Sequence, residues 1–562
     1  MGFAMMWIEA LAGAVLWTAL VLAVVTRIER RRLAVVLCVV GIGGLWLLSV
    51  LATIGMALLA KYIGWNLFAW DLSWLLAYSV GAVIMCVVGL RSADGDQPRA
   101  ASWPRGGIAV AFAAVLVLYY MTFWNQDLAA QSRLAELRAE AAARALSVAP
   151  TRVPPDQNAA PLYRDVFTIL SEGDDPPERW NTEWTRWLKW DEPIDLDASD
   201  PDLVAYVKGM EPAAALARAA AAKPDCYFDR DYGRPGIDML LPELSRIGQM
   251  SRLLAVSARV KAAAGRPDAA RADLEALFCI TPHVEQEPIL ISALVAMVND
   301  RYAVRTLEAL LADGTVPLTA VTLAPTQFYN ETLPRAFRME EAFGLTIFSN
   351  IALGDPSTVA GIQAVATGCS GPERVLASPL FELTGCAAVY RVFILPPDLG
   401  FYVRAMHRYQ QVTAMPYHEA QAEWERIERE FNRGAEMGMC SRLVFPALSG
   451  AVKHAATADA RRALARLALA IERCRAGTGT YPESLDAVAP AYIPAVPRDP
   501  FDGQPLRMVR RDGHIVLYSV GADLKDDGGM PWDDKEDTGD LVFRLTIPGD
   551  AAPERDSAPA AP

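Results

Sequence analysis

Apolar residues recur along this chain in three rhythms, and each predicts a different element. The first rhythm is continuous. Ala10–Thr26, Leu33–Ala60, Trp74–Leu90 and Gly107–Trp124 are long apolar runs, each near or above the roughly 17–25 residues that cross a bilayer. They predict four transmembrane helices within residues 1–124. The second rhythm is helical. Pro242–Gly265 carries Leu253, Leu254, Val256 and Val260 on an amphipathic pattern. The turn Gly265-Arg-Pro-Asp268 follows, then a second helix through Leu277, and Ile289–Leu311 supplies another. Trp180, Trp184, Trp187 and Trp190 recur at helical spacing and predict one aromatic face. The third rhythm has period two. Leu541, Phe543, Leu545 and Ile547 alternate with Val542, Arg544 and Thr546, which predicts a half-buried strand. Leu506–Arg510 and His514–Val520 flank Asp512-Gly513 and predict a hairpin, because that dipeptide accepts the positive φ of a tight turn.

Together these patterns predict a multi-domain chain. Residues 1–124 form the four-helix transmembrane block, and residues 125–160 a helical stalk ending in a Pro-rich linker. Residues 161–450 form a mostly α-helical ectodomain built as a hairpin array. Residues 453–548 form an α+β domain with one helix on a three-stranded antiparallel sheet, its helix placing Leu464, Leu467, Ala468, Ile471 and Cys474 on one face. The Ala- and Pro-rich tail, residues 549–562, predicts disorder. The segment AAAGRPDAARADLEAL resembles a tetratricopeptide-type hairpin over one repeat only, and Asp268 is the expected N-cap of its second helix.

Charge orients the apolar block. The chain carries a net −13, but residues 1–124 hold 8 basic and 5 acidic residues, leaving the excess of acid to the remainder. Arg27, Arg30, Arg31 and Arg32 follow the first run, and Arg91, Arg99 and Arg105 the third, whereas the loop between the second and third runs has only Lys61. Positive loops stay cytoplasmic, so the N-terminus and the large C-terminal part are expected outside. The first run lacks a basic start and is read as a retained span. An acidic remainder excludes nucleic acid as a partner, since phosphates need a basic face. The expected partners are the lipid bilayer and envelope proteins.

Catalytic chemistry is sparse. His283-Val-Glu-Gln-Glu287 lacks the second histidine one turn away that zinc sites use. No nucleophile elbow, Walker loop or dinucleotide fingerprint is present. The acidic pairs Asp174-Asp175 and Asp229…Asp231, with the Trp face, leave open an envelope enzyme acting on a glycan or peptide polymer. A sensor or transport accessory is a further alternative. Of eight cysteines, Cys226, Cys279, Cys369, Cys386, Cys440 and Cys474 lie beyond the apolar block. Short loops favour the pairs Cys369–Cys386 and Cys440–Cys474, with buried free thiols as the alternative.

The run TGTYPESLDAV…YIPAVPRDPFDGQPLR…HIVLYSVGADLKDDGG resembles the globular domain of the major pseudopilins of type II secretion, over about 90 of 562 residues. The succession Tyr-Pro, Val-Pro-x-Asp-Pro, Tyr-Ser-x-Gly-Ala-Asp and a Gly pair carries the resemblance. The arrangement as a whole is similar to multi-span bacterial inner-membrane proteins bearing such a module. The resemblance implies a calcium ion in the loop after Tyr-Ser-x-Gly-Ala-Asp, held by Asp523, Asp526, Asp527, Asp537 and Asp540. It does not imply fibre formation. Glu9 is the seventh residue from Phe3, where a pseudopilin has its Glu at the fifth, and some 330 residues separate the apolar block from the module. The expectation is a non-enzymatic, membrane-anchored envelope protein whose ectodomain acts in protein interaction or assembly, with a connection to secretion.

Overall fold

A computed structural model gives the fold. The structure describes residues 102–173, 196–236, 239, 241–355, 358, 391, 395–433, 441–511, 513–533 and 538–547. The helices are α1 (Ser102–Val148), α2 (Ala160–Glu172), α3 (Pro201–Gly209), α4 (Glu211–Ala221), α5 (Glu243–Ala263), α6 (Pro267–Glu285), α7 (Leu290–Asp313), α8 (Leu333–Leu353), α9 (Leu395–Thr413), α10 (Tyr417–Arg433) and α11 (Ser441–Thr478). A π-helical turn, Phe328–Thr332, leads into α8. Strands β1 (Arg507–Arg511), β2 (His514–Ser519) and β3 (Leu541–Thr546) form one antiparallel sheet in the order β1-β2-β3.

The chain divides into two compact units. One comprises residues 1–141, 344–405 and 427–446, and the other residues 142–343, 406–426 and 447–562. In the first, Asp127 of α1 takes a two-pronged ion pair from Arg391, at 2.7 and 3.1 Å. Gly344 of α8 lies under the ring of Tyr402, where a Cβ would sit 2.2 Å from the ring carbon bearing the hydroxyl.

The second unit is built on α5, α6 and α7, which pack pairwise on one another. Leu253, Leu254, Leu274, Leu277, Leu307 and Leu310 are buried there, each contributing about 1.5–3 kcal/mol of burial. Pro267 sits at the first position of α6, where its fixed φ suits a helix start. The cap position is therefore Arg266. Asp268 falls inside the first turn and pairs with Arg271 at 3.0 Å, which corrects its expected capping role. Between these helices lies an ion network. Asp273 receives Ser257, Lys261 and Arg218 at 2.7, 2.7 and 2.5 Å, and Asp273 and Lys261 are almost wholly buried.

In the C-terminal part of this unit the hairpin register pairs Arg511 with His514, and Gly513 has φ 76°. The burial of β3 alternates along the strand. The Tyr481 hydroxyl donates to Glu472 of α11 at 2.8 Å and lies 3.3 Å from the Thr546 carbonyl of β3, so it sits between helix and sheet. The backbone N–H of Arg544 on β3 donates to Glu308 of α7 at 3.0 Å.

The four-helix transmembrane block, and with it the multi-pass inner-membrane localisation, requires correction. Among the described residues no helix is long and apolar enough to cross a membrane. The expected fourth run, Gly107–Trp124, falls in α1, a 47-residue helix. That helix continues without a break through Asp127, Arg133, Glu136, Arg138, Glu140 and Arg144 and buries Leu134, Ala141 and Ala145. Ala145 packs in a cluster with Tyr232, Ile289, Met339 and Ala342. Apolar length alone suggested a span, whereas here it opens a long helix whose later turns bury their small residues in protein. The other three runs, the Trp face, Asp174-Asp175 and the tail lie outside the described residues.

Candidate functional site

The expected site residues gather on the loop between β2 and β3, which closes on itself at both ends. Gly521, with φ +69°, stands where a Cβ would come 3.2 Å from the Gly539 carbonyl and 3.3 Å from the Trp532 ring. Asp523 spans the loop. Its Oδ2 accepts from Thr538 Oγ1 at 2.6 Å and from the Gly539 N–H at 3.3 Å, and its Oδ1 accepts from the Lys525 N–H at 3.2 Å. Burial alone would raise this carboxyl, but the hydroxyl, the two amides and the Lys525 charge outweigh burial and hold it below the ordinary range.

Asp526 is also engaged. It accepts from the Gly528 N–H at 3.0 Å and pairs with Arg507 at 3.0 Å. Arg507 in turn reaches Asp502 at 2.6 Å. Asp527 is exposed, and Asp537 lies outside the described residues.

Asp540 differs from all of these. It is fully buried, and its Oδ2 accepts from the Gly529 N–H at 2.6 Å. Its Oδ1 is buried with no hydrogen-bond partner. Burial pushes this carboxyl up to about 6, with the Gly529 and Asp527 amides pulling down and the Asp526 and Asp527 charges pushing further up. A buried carboxylate oxygen without a donor is costly and is the kind of atom a cation satisfies. Asp540 keeps one oxygen without a donor and Asp527 is exposed, whereas Asp523 and Asp526 already use both oxygens on protein donors. Among the described residues no group of three or more His, Cys, Asp or Glu side chains is arranged around a metal position.

The loop has a second feature, which the sequence did not signal. Leu524 has φ 60° and is 45% exposed. A branched side chain in the left-handed region costs roughly 1–2 kcal/mol, and here it gains little burial in return. Met530, 53% exposed, sits on the same loop against Arg511, whose guanidinium is 3.2 Å from its sulfur. An acidic loop thus displays two apolar side chains, one of them on strained backbone.

Other candidates prove to be structural. His283 is buried between Tyr163 and Lys223. Its Nε2 is 2.9 Å from the Lys223 carbonyl and must donate, which leaves Nδ1 to accept from the Tyr163 hydroxyl at 2.8 Å. Glu287 pairs with Arg230 at 2.5 Å. Asp229 pairs with Arg152 at 3.2 Å, and Asp231 accepts from the Gly233 N–H at 3.1 Å, so neither faces the other across a cleft. Cys226, Cys279 and Cys474 are free thiols, which corrects the expected Cys440–Cys474 pair. Cys474 packs on the buried face of α11. Cys369, Cys386 and Cys440 lie outside the described residues.

Two of the motifs behind the pseudopilin resemblance meet in space. Asp499, from Val-Pro-x-Asp-Pro, accepts from Ser519 Oγ at 2.8 Å and from the Val520 N–H at 2.9 Å. Those two residues belong to Tyr-Ser-x-Gly-Ala-Asp. Asp499 is fully buried, so the motif residue pins the end of β2 instead of serving a ligand. No family model, curated protein or solved structure matches this chain.

Proposed function

We propose that the chain is a non-catalytic binding protein whose C-terminal α+β module contacts a protein partner through the β2–β3 loop. The observation that carries this reading is Leu524, an exposed leucine held in the left-handed backbone region. Backbone strain of this kind clusters at sites where a ligand or partner uses the side chain. Met530 extends the apolar contact, and Asp526 and Asp527 give it an acidic surround suited to a partner with basic residues.

Leu524→Gly separates function from fold. Glycine tolerates φ 60°, so the strain disappears, although its greater unfolded-state freedom costs roughly 0.5–1 kcal/mol. The melting temperature is expected to hold or rise slightly. Cross-linking of the full chain in cells, followed by identification of the captured proteins, is expected to lose its dominant partner in this variant. Capture of the same partner in equal amount by Leu524→Gly would sink the proposal. Secretion components among the captured proteins would connect it to the assembly that the pseudopilin resemblance implies.

A second reading follows from Asp540. The orphan Oδ1 supports a calcium ion on this loop, with Asp540 and Asp527 as its ligands. Calcium would neutralise the loop and order it for the partner. Millimolar calcium is expected to raise the melting temperature of the wild type and not of Asp540→Asn. Equal shifts in both, or none in the wild type, remove calcium from the loop.

A further inference from the structure

The packing of α5 against α7 is left open along one stretch. A cavity of about 350 Å³ lies between the two helices. Its walls are apolar, with Leu244 and Ile247 on α5 and Val295 and Val298 on α7. Leu244 and Ile247 are buried, whereas Val298 is 40% exposed, so solvent reaches the cavity along α7.

Gly248 of α5 also lines this space and helps to keep it open. A Cβ added there would meet no atom within 4 Å. Neither a turn, a close approach nor a positive φ calls for glycine at this position, which lies inside a 21-residue helix. Inside a helix glycine is less favourable than any residue but proline. Spaces larger than a water molecule are few in packed protein, and here a residue that costs helix stability maintains one.

The polar groups at the base of the cavity are already engaged. Asn299 of α7 accepts from the Ser251 hydroxyl, and its amide donates to the Leu277 carbonyl at 3.0 Å and to the Thr281 hydroxyl at 2.7 Å. Among the described residues that line the cavity, Arg252 of α5 alone carries a charge, and that charge is positive in a chain of net −13. Arg252 hydrogen-bonds the buried Tyr302 of α7, which holds the guanidinium beside the cavity. A guanidinium carries five N–H donors in a planar fork, so it can take a carboxylate in addition to that bond.

Shape and charge together select a ligand class. The apolar walls suit a hydrocarbon chain, and the lone positive charge suits an anionic head. The volume is just over twice the ~150 Å³ that encloses a benzene ring, which suits about ten non-hydrogen atoms.

We propose that the α5–α7 cavity binds a medium-chain carboxylate, with its chain over Gly248 against Leu244, Ile247, Val295 and Val298 and its carboxylate on Arg252. The site belongs to the helical body and does not rest on the β2–β3 loop or on the function proposed above.

The test titrates the full chain with octanoate and with octanol by isothermal titration calorimetry. Octanoate is expected to saturate one site with a dissociation constant on the order of 0.1 mM, as a ligand of this size allows. Octanol has the same chain without the charge and is expected to bind about tenfold more weakly. Arg252→Met keeps much of the apolar stem and removes the charge, so the two ligands are expected to bind it alike. Gly248→Leu places a side chain in the cavity and improves helix propensity. Its melting temperature is expected to hold or rise while octanoate binding falls by about tenfold or more. No saturable octanoate binding to the wild type up to about 10 mM overturns the proposal. Binding undiminished in a folded Gly248→Leu also overturns it, because the ligand then sits elsewhere on the chain. Equal affinity of the wild type for octanoate and octanol overturns the role of Arg252. So does an octanoate preference unchanged in Arg252→Met, which keeps the proposal open to refutation should Gly248→Leu not fold.

Discussion

Asp273 illustrates what one buried charge does here. It holds Lys261, itself 1% exposed, together with Arg218 and Ser257. Removing one partner of a buried ion pair leaves the other charge without compensation, at a cost of roughly 3–5 kcal/mol. Asp273→Ala is therefore expected to lower stability by about that much in chemical denaturation. A loss below about 1 kcal/mol would mean that Glu211, already paired with Lys261 at 2.9 Å and with Arg218 at 2.6 Å, compensates both cations alone. Asp499 is of the same kind, buried by the donors it accepts from. Asp273 belongs to no motif, and Asp499 stands out in the sequence only within Val-Pro-x-Asp-Pro. Burial and donor geometry are set by distant segments, so neither role can be read from neighbouring residues, nor can the left-handed backbone at Leu524.

At the scale of elements, the helices and the hairpin were the legible part. The alternating Leu541–Ile547 pattern lies on β3, and Gly513 turns the hairpin with positive φ. Both follow from local periodicity and turn chemistry, which neighbouring residues determine. α6 starts two residues before the position that an Asp268 cap would set, because the ring of Pro267 fixes the first helical position. Packing between α8 and α9 was not legible at all. Gly344 looks like a weak helix residue in the sequence, yet the space beside it is filled by Tyr402. Overpacking a filled site costs roughly 1–3 kcal/mol. Gly344→Ala should lower the melting temperature despite alanine's better helix propensity, and a stabilised variant would show that the Tyr402 ring moves aside freely.

At the scale of the whole molecule, pH sums over carboxylates that burial holds protonated. Glu285 and Glu340 lie at about 7, and Asp459 and Asp540 at about 6, all above their ordinary values. In this window the folded chain binds more protons than the unfolded chain, so stability falls as pH rises. His283 and His454 are held below the ordinary histidine value and work the other way, but only up to about 6.5. Thermal unfolding is therefore expected to show falling stability from pH 6.5 to 8, and a rise across that range would refute it. The four-span expectation is corrected at this scale on the described residues: the Gly107–Trp124 run opens a long helix whose continuation packs in protein, and apolar length does not distinguish such a helix from one bound for lipid. The acidic loop was legible in composition, while the division of labour within it was not, because hydrogen bonding leaves Asp540 alone with an unsatisfied oxygen.

The small bond between the Arg544 N–H and Glu308 has a further consequence. β3 is an edge of the sheet, and an open edge is a template on which another chain can add a strand. A side chain from α7 occupies one of the donors that such a strand would need. The opposite edge, β1, carries Arg507, Arg510 and Arg511, and long charged side chains on an edge disfavour an added strand. A cap on one border and charged side chains on the other disfavour a fourth strand, which works against neighbouring copies growing into a shared ribbon.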